Sequence, residues 1–247
     1  MSRHLFGLLL SVPACCAAAA TPAPNIVHAE QSALLVRDTG MFSAGRGVAL
    51  RAGDLLDSRD GALQLDIGGA AIAIGPGTRL FFRQGGEVVL LEGWLKVRGN
   101  AARPLAVNAT LVRLHVADAT AIVHATPTAT EVFAEAGEVA LEELDGGKAG
   151  RRLKLASEQF AARSSAQPLR IAARPAAPFL AGLPPAFRDL LVPLPQGPAA
   201  QPRHERRATY AELAPWLARQ PALRQQVRHR FDPPRPPRAA VPTPRQP

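Results

Sequence analysis

The sequence predicts an all-β protein: a glycine-turn-rich β-roll or sandwich, with a small helical segment near its C-terminal end. Three observations support this prediction. Apolar and polar residues alternate in short runs through the first two-thirds of the chain, glycine pairs separate those runs, and proline crowds the last third. Alternation with a period of two, broken by two-residue glycine turns, is typical of antiparallel hairpins. The proline-rich end is typical of an extended tail.

The first residues are typical of a secretory signal peptide. Arg3 and His4 precede an apolar run over residues 5–14, and the small residues at 17–20 would allow cleavage after Ala20. We therefore expect residues 1–20 to be a signal peptide and the mature protein to be periplasmic or exported. The apolar run is shorter than the roughly 20 residues that cross a bilayer. We expect no integral membrane span.

Both cysteines, Cys15 and Cys16, lie inside that segment. Cleavage after Ala20 would leave a mature chain without cysteine, and therefore without a disulfide, a thiolate-bound zinc ion or a cysteine nucleophile. Two alternatives stay open. Residues 12–14 could precede a lipidated Cys15, although a proline is unusual in that motif. The segment could also be a buried apolar helix.

The β-rich region is predicted over residues 26–174. Its first strands are expected at 47–54, 62–67, 71–74, 79–83 and 87–91. The glycine pairs at 68–69 and 85–86 lie between them and predict tight turns. The spacing between turns is too short for an amphipathic helix. A weak internal similarity between residues 91–97 and 135–141 is typical of stacked, similar β units.

These strand and turn patterns resemble those of the FecR domain over residues 47–160. A glycine–aspartate turn, an isoleucine-rich strand ending in proline and threonine, paired strands around a glycine, and a closing turn follow one another in the order found in that family. The matching segments are 47–54, 60–65, 69–78, 88–97, 131–139 and 153–160. Ser157 stands in the closing turn where glycine is usual.

The resemblance implies a β-domain that acts through contacts and not through catalysis. The best-known FecR proteins are membrane-spanning regulators that relay iron–siderophore signals to a sigma factor. This chain has a predicted signal peptide where those proteins have a cytoplasmic segment, so sigma-factor regulation is not carried over. We expect a non-catalytic periplasmic binding or scaffolding protein whose partner is an envelope protein.

The last third is predicted to contain a proline-rich linker (175–208), a short helical segment (209–231) and a disordered proline-rich tail (232–247). Thr209 is a predicted N-cap with Glu212 three residues later, as in a capping box. Pro215 should divide the segment into two short helices, at 210–214 and 216–230. One apolar face is expected to comprise Leu213, Trp216, Leu217, Leu223, Val227 and Phe231.

The C-terminal end carries most of the net charge of +9, because residues 200–247 contain ten arginines against three acids. Such a basic chain raises the question of nucleic-acid binding, but the predicted export argues against it. The alternative function is a structural factor that binds peptidoglycan, another anionic polymer or an anionic lipid surface. The simplest interpretation is a helical lid with a solvated basic face. The candidate partner or polymer contacts are Trp216, Arg219, Arg224, Arg228 and Arg230.

Residue types that could support chemistry are few. No serine lies in a nucleophile elbow and no glycine loop precedes a helix, so we expect neither an enzyme nor a cofactor. His115 and His124, with Asp118 between them, could bind a metal only if a hairpin brought them together, because their odd spacing puts them on opposite faces of one strand. We therefore predict no metal site. Trp94 is predicted to be a core residue and not a sugar-stacking platform.

Overall fold

The computed structural model of the protein describes residues 23–232. The predicted signal peptide, with its cleavage site after Ala20 and the alternative lipidation at Cys15, lies outside these described residues. Residues 233–247 of the predicted tail also lie outside them.

The described chain is built from strands, which confirms the predicted all-β class with a small helical segment. In chain order the strands are β1 (Asn25–Ala29), β2 (Ala33–Arg37), β3 (Gly40–Ala44), β4 (Leu55–Asp57), β5 (Leu63–Ile67), β6 (Ala70–Ile74), β7 (Arg79–Phe82), β8 (Val88–Arg98), β9 (Leu105–Asn108), β10 (Val112–Val116), β11 (Thr120–Ala125), β12 (Ala129–Ala136), β13 (Val139–Asp145), β14 (Lys148–Leu155), β15 (Phe160–Ser164), β16 (Gln167–Ala172) and β17 (Arg203–Arg207).

The strands form two sheets that share β8. Sheet A has the order β1-β5-β6-β8-β11-β12-β15-β16. Sheet B has the order β17-β3-β2-β4-β7-β8-β9-β10-β13-β14. Neighbouring strands are antiparallel except β8 and β9, which are parallel. The glycine pairs named above lie in turns between sequential strands, where a positive φ is needed.

Strand β8 passes from one sheet to the other near Gly93. Its first half pairs with β7, with Phe81 opposite Val89, and its second half pairs with β11, with Val123 opposite Leu95. Gly93 has φ +99°, and a Cβ at this position would lie 2.5 Å from the Thr78 hydroxyl oxygen. Glycine therefore provides both the backbone conformation and the space that this crossing requires.

The main core lies between the two sheets. On β5, for example, Leu63, Leu65 and Ile67 are buried while the residues between them are partly exposed. Leu35 and Leu56 of sheet B belong to the same buried cluster. The alternation in the sequence thus places one face of each sheet inside the sandwich, as predicted for half-buried strands.

The residues after β16 cover the outer faces of both sheets. They contain α1 (Ala177–Gly182), a 3₁₀ turn (Pro185–Phe187), strand β17, α2 (Tyr210–Leu213), a second 3₁₀ turn (Ala214–Leu217) and α3 (Pro221–Arg228). None of the helices within residues 23–232 has the length and apolar character needed to span a membrane. We call residues 175–200 the strap and residues 209–231 the helical cap.

The segment predicted as a linker packs on the domain. Phe179 and Phe187 of the strap are buried against Ile122 and Phe160 of sheet A. The later part of the segment forms β17, which pairs with β3. Proline does not prevent this packing, because it is compatible with the extended backbone and with the first turn of a helix.

The helical cap starts where the sequence predicts but divides differently. The first helix begins at Tyr210, directly after Thr209. The second was expected from residue 216, whereas residues 214–217 form a 3₁₀ turn and α3 begins at Pro221. A proline at the first helical position costs no backbone hydrogen bond, because the N–H that it lacks would have no intrahelical partner there. Pro221 is therefore the natural start of α3.

Candidate interaction surfaces

The helical cap is attached to the outer face of sheet B by an apolar cluster. The buried residues of the cap in this cluster are Leu213, Leu217, Leu223 and Val227, and those of the sheet are Val36, Met41, Leu55, Phe81, Val89 and Leu91. Ala208, directly before the cap, belongs to the same cluster. Trp216 and Phe231 pack against it while remaining partly exposed. The predicted apolar face of the helical segment is thus the face that meets the sheet.

A polar junction fixes the start of the cap. The N–H and hydroxyl of Thr209 donate to Glu212 Oε2 at 2.9 and 2.8 Å. Arg206, on β17, donates to both carboxylate oxygens of Glu212 at 3.1 and 2.7 Å. The hydrogen bonds from Arg206, and then those from Thr209, lower the pKa of Glu212 to about 2. Glu212 therefore ties strand β17 to α2.

Trp216, one of the predicted contact residues, is half-buried at the junction between cap and sheet. Arg79 of β7 lies over its indole ring, with Cζ 4.8 Å from the ring centroid. Arg79 also pairs with Asp57 and Glu92, each at 3.1 Å. The indole ring therefore helps to hold the cap on sheet B through a cation–π contact.

The four predicted arginines divide into two groups. Arg219, Arg224 and Arg228 are exposed. Arg224 and Arg228 are four residues apart, so they lie on the same side of α3. Arg230 instead turns towards the sheet, where its Nη1 donates to the Gly53 carbonyl at 2.7 Å. The structure thus presents three of these guanidinium groups to solvent and holds the fourth against the domain.

Lys96 is a buried charge beneath the strap that the sequence analysis missed. It points outward from sheet A, yet it is 0% exposed. Its ammonium group donates to the carbonyl oxygens of Phe187 and Asp189 at 2.9 and 2.7 Å, and to Glu135 Oε1 at 2.8 Å. No pattern in the neighbouring sequence distinguishes Lys96 from a solvent-exposed lysine, because its partners come from distant parts of the chain.

Other polar side chains on the outer face of sheet A also hold the strap. Gln64 donates to the Val192 carbonyl at 2.7 Å, and Arg98 donates to the Leu191 carbonyl at 3.3 Å. Gln196 donates to Asp66 at 2.9 Å. The strap backbone is therefore hydrogen-bonded to side chains of sheet A between residues 187 and 192.

With its backbone held in this way, the strap exposes large apolar side chains. Leu190 is 84% exposed and Val192 is 57% exposed. The large exposed apolar residues within the described chain are Ile171, Leu180, Leu190, Val192 and Leu194. All of them fall in the short stretch from the end of β16 to the strap. The run of leucine, valine and proline at 190–195 is the sequence signal that could have indicated this surface.

The two histidines considered as metal ligands lie in different sheets. His115 is exposed on β10 of sheet B, and His124 lies on β11 of sheet A. His124 Nδ1 lies 2.9 Å from Glu131 Oε2, and its ring stacks on Trp94 with centroids 4.0 Å apart. Within residues 23–232 there is no group of three or more candidate metal-binding side chains. The hairpin that would have joined the two histidines is not formed.

Trp94 is half-buried on the outer face of sheet A, beneath the strap. Phe179 of α1 packs against its ring with centroids 5.0 Å apart, and the His124 ring stacks on it at 4.0 Å. Gly182 of α1 also approaches the ring closely. The indole ring is therefore a packing surface for α1 and remains partly exposed, whereas the sequence predicted a core residue.

Comparisons with known proteins give little further information. No protein-family model and no curated protein matches the chain. Two crystal structures of a candidate anti-sigma factor from Parabacteroides distasonis ATCC 8503 align with TM-scores of 0.40 and 0.37, each at 13% sequence identity. The alignments cover 47% and 43% of this chain, and 57% and 52% of those chains. A similarity this low establishes neither a family nor a function.

Proposed function

We propose that this chain is a non-catalytic, exported binding or scaffolding module that contacts a protein of the cell envelope through the strap. The observation that carries this proposal is the row of exposed apolar side chains at Leu190, Val192 and Leu194. Exposed apolar patches on soluble domains commonly mark surfaces that bind other proteins. Removal of apolar surface from water by a partner favours association.

The anchoring of the strap supports this assignment. Lys96, Gln64 and Arg98 bind the strap carbonyls, so the backbone that displays the leucines is already ordered before any partner arrives. A preorganised surface loses less conformational entropy on binding than a mobile one does. The strap therefore resembles an interface element more than a flexible linker.

The location and the family relationship of the module are inferred from the sequence. The signal-peptide pattern at residues 1–20 supports export, and the turn and strand pattern over residues 47–160 supports a FecR-like domain. A domain of that kind would act as a contact module in the periplasm. The proposal includes no reaction step, because the residues that carry it are apolar side chains.

Site-specific photo-crosslinking in intact cells would test the proposal. We expect a photoreactive amino acid at position 190 or 192 to crosslink to one defined envelope protein. The same group at Glu158, an exposed turn residue, is the matched control and should give no such product. The double variant Leu190→Ser, Val192→Ser should abolish the interaction without a change in thermal stability, since both side chains are exposed.

The outcomes of this experiment are distinct. A partner that is retained by the Leu190→Ser, Val192→Ser variant would contradict the assignment of the surface. Equal crosslinking from positions 158 and 190 would show nonspecific contact and would also contradict it. Loss of the partner in the variant, with its unfolding midpoint unchanged, supports the proposal.

A second candidate function is binding of an anionic envelope polymer through the helical cap. The exposed guanidinium groups of Arg219, Arg224 and Arg228 favour it, because clustered cations attract polyanions. We expect co-sedimentation of the protein with purified peptidoglycan sacculi at low ionic strength, and its loss as salt is added. A triple arginine-to-glutamine variant should then remain in the supernatant. Absence of pelleting at low salt would exclude this function.

A further inference from the structure

A cavity of about 540 Å³ lies between the helical cap and one end of sheet B. Its walls come from the β2–β3 turn, the turn that precedes β4, the segment between β7 and β8, and the last part of the cap. We call it the arginine cavity. Its polar lining residues are Arg37, Asp38, Arg51, Asp54, Arg83, Gln84, Glu87, Gln226 and Arg230.

Two of the carboxylates in the cavity are already paired. Asp54, which is 1% exposed, accepts two hydrogen bonds from Arg37 at 3.0 and 2.7 Å. It also accepts one from the backbone N–H of Arg51 at 2.8 Å. Glu87 accepts a hydrogen bond from Arg83 at 3.0 Å. These pairs neutralise two of the four guanidinium groups that line the cavity.

Arg230 has no such counterion within the described residues. Its Nη1 donates to the neutral carbonyl of Gly53, and no carboxylate of residues 23–232 lies within 4.0 Å of it. Its Cζ lies 5.9 Å from the ring centroid of Phe81. Burial lowers the pKa of Arg230, whereas the nearby Asp38 and Asp54 raise it. A guanidinium has five N–H donors, and a single carbonyl uses only a small part of that capacity.

Among the arginines that line the cavity, Arg51 is the second whose guanidinium group has no carboxylate partner within residues 23–232. It lies in the same turn as Gly53, and only its backbone N–H is hydrogen-bonded to Asp54. Gln84 and Gln226 also line the cavity, and a glutamine side chain carries a neutral amide donor. Two unpaired cations and two amides thus meet around one open space.

The turn that holds Arg230 is shaped for this close approach. Gly53 has φ +96°, and a Cβ at this position would lie 3.1 Å from Arg230 Nη2. Gly53 also donates its N–H to the Phe82 carbonyl at 2.7 Å. The guanidinium group is therefore held against the wall of the cavity by a turn that requires glycine.

We infer that the arginine cavity binds an oxyanion, a phosphate or carboxylate group of a small ligand, through Arg230 and Arg51. Planar guanidinium groups bind both kinds of oxyanion through paired, charge-assisted hydrogen bonds. An oxyanion would provide the missing counterion for Arg230 and Arg51 at once. The inference concerns a different surface from the strap and does not depend on the protein-binding role.

The test is a titration of ¹⁵N-labelled mature protein followed by the arginine Nε–Hε signals in NMR spectra. Inorganic phosphate and malonate serve as separate probes, and sodium chloride at matched ionic strength is the control. We expect the Arg230 and Arg51 signals to shift in a saturable manner, with a Kd on the order of 1 mM for a small anion. Tighter binding of phosphate or of malonate would identify which kind of oxyanion the cavity prefers.

Three variants make the test specific. Arg230→Gln and Arg51→Gln should each weaken binding at least about tenfold, the effect of losing one charge-assisted hydrogen-bond pair. Arg51 is exposed, so its variant should keep the fold even where Arg230→Gln does not. Arg170→Gln, at an exposed position of β16 outside both the cavity and the helical cap, should leave the affinity unchanged.

A fourth variant, at Asp38, should act in the opposite direction. Asp38 lines the cavity and has φ +54°, a conformation that asparagine adopts at least as readily. We expect Asp38→Asn to strengthen binding severalfold, because it removes a negative charge near the anion. Shifts that chloride reproduces equally, shifts that persist in Arg51→Gln, or no saturable shift at all would each overturn the inference.

Discussion

At the scale of single residues, Lys96 shows how a charge can be used in the packing of a sheet face. Lysine side chains are seldom fully buried unless they are paired. Here the ammonium group has three acceptors, two backbone carbonyls of the strap and the carboxylate of Glu135. All three donors of the group can therefore be used without water. The geometry makes Lys96 the main polar anchor of the strap.

Replacing this anchor should weaken both the fold and the attachment of the strap. We expect Lys96→Met to lower the free energy of unfolding by about 3 kcal/mol, because it leaves the carboxylate and the carbonyls without their partner. Urea denaturation would measure the loss, and hydrogen exchange would show faster opening of residues 185–192.

The matched control for this prediction is Lys154, whose pair with Glu138 at 2.7 Å is exposed. Lys154→Met should have little effect on the free energy of unfolding, as is usual for surface ion pairs. Equal effects of the two substitutions would mean that Lys96 has no special role beneath the strap.

The contribution of Glu212 to the stability of the fold should depend on pH in a defined direction. Its folded pKa of about 2 lies below the ordinary value of about 4.3. The ionised carboxylate therefore stabilises the folded state fully at pH values above the ordinary pKa. This stabilisation is lost as the pH falls through the folded pKa of about 2. We expect Arg206→Gln to raise the pKa of Glu212, since Arg206 is the largest cause of the shift.

A ¹³C NMR titration of the Glu212 carboxyl group would measure this change. The matched control is Arg203→Gln on the same strand, which should leave the pKa of Glu212 where it is. A pKa that stays at about 2 in the Arg206→Gln variant would show that the Thr209 donors alone determine it.

At the scale of elements, strand β8 determines how the two sheets are joined. The crossing near Gly93 depends on a positive φ and on close approach to Thr78. Thr78 also accepts the Trp94 N–H at its hydroxyl oxygen, at 2.9 Å. The crossing thus rests on a small number of atoms, so one added methyl group should disturb it.

We expect Gly93→Ala to destabilise the protein by about 3 kcal/mol, from the left-handed backbone conformation together with overlap with Thr78. The matched control is Gly77→Ala. Gly77 has φ +65°, but a Cβ there would meet nothing within 4 Å. That control should cost only about 1–2 kcal/mol, as measured by urea denaturation. A loss for Gly93→Ala no greater than that of the control would mean that space at the crossing is not limiting.

At the scale of the whole molecule, the strap and the helical cap cover opposite sides of the sandwich. The strap packs on sheet A through Phe179, and the cap packs on sheet B through Leu223. Each belongs to its own apolar cluster, and the main core separates the two clusters. The molecule is therefore built as a sandwich with two separate outer layers.

We expect Phe179→Ala and Leu223→Ala each to destabilise the protein by about 3 kcal/mol, as is usual for truncation of a buried side chain. Their effects should add to within about 0.5 kcal/mol in the double variant, because the sites share no partner. Denaturant unfolding of the two single variants and the double variant would measure the coupling.

A pair of residues in direct contact provides the control for this double-mutant cycle. The rings of Phe160 and Phe179 are 5.1 Å apart, and their double variant should show a coupling of about 1 kcal/mol. Coupling of that size between Phe179 and Leu223 would mean instead that strap and cap form one cooperative unit.

The sequence by itself determined the class of fold and part of the local structure. Residues 47–54, predicted as a strand, form only isolated bridges before β4. Alternation of apolar residues predicted half-buried strands such as β5, and the glycine pairs predicted the turns. Thr209 and Glu212 predicted the start of α2, and the apolar spacing predicted which face of the cap is buried. These features could be predicted from the sequence because each depends on residues within a few positions of one another.

Only the tertiary structure decided how the C-terminal third is used. Lys96 meets the strap carbonyls across 91 and 93 positions of sequence, and Arg230 meets Gly53 across 177. No local pattern shows that a lysine on a strand is buried, that a proline-rich segment packs, or that one arginine of several turns inward. Burial and pairing depend on which surfaces the folded chain brings together, and those contacts exist only once the two sheets have formed.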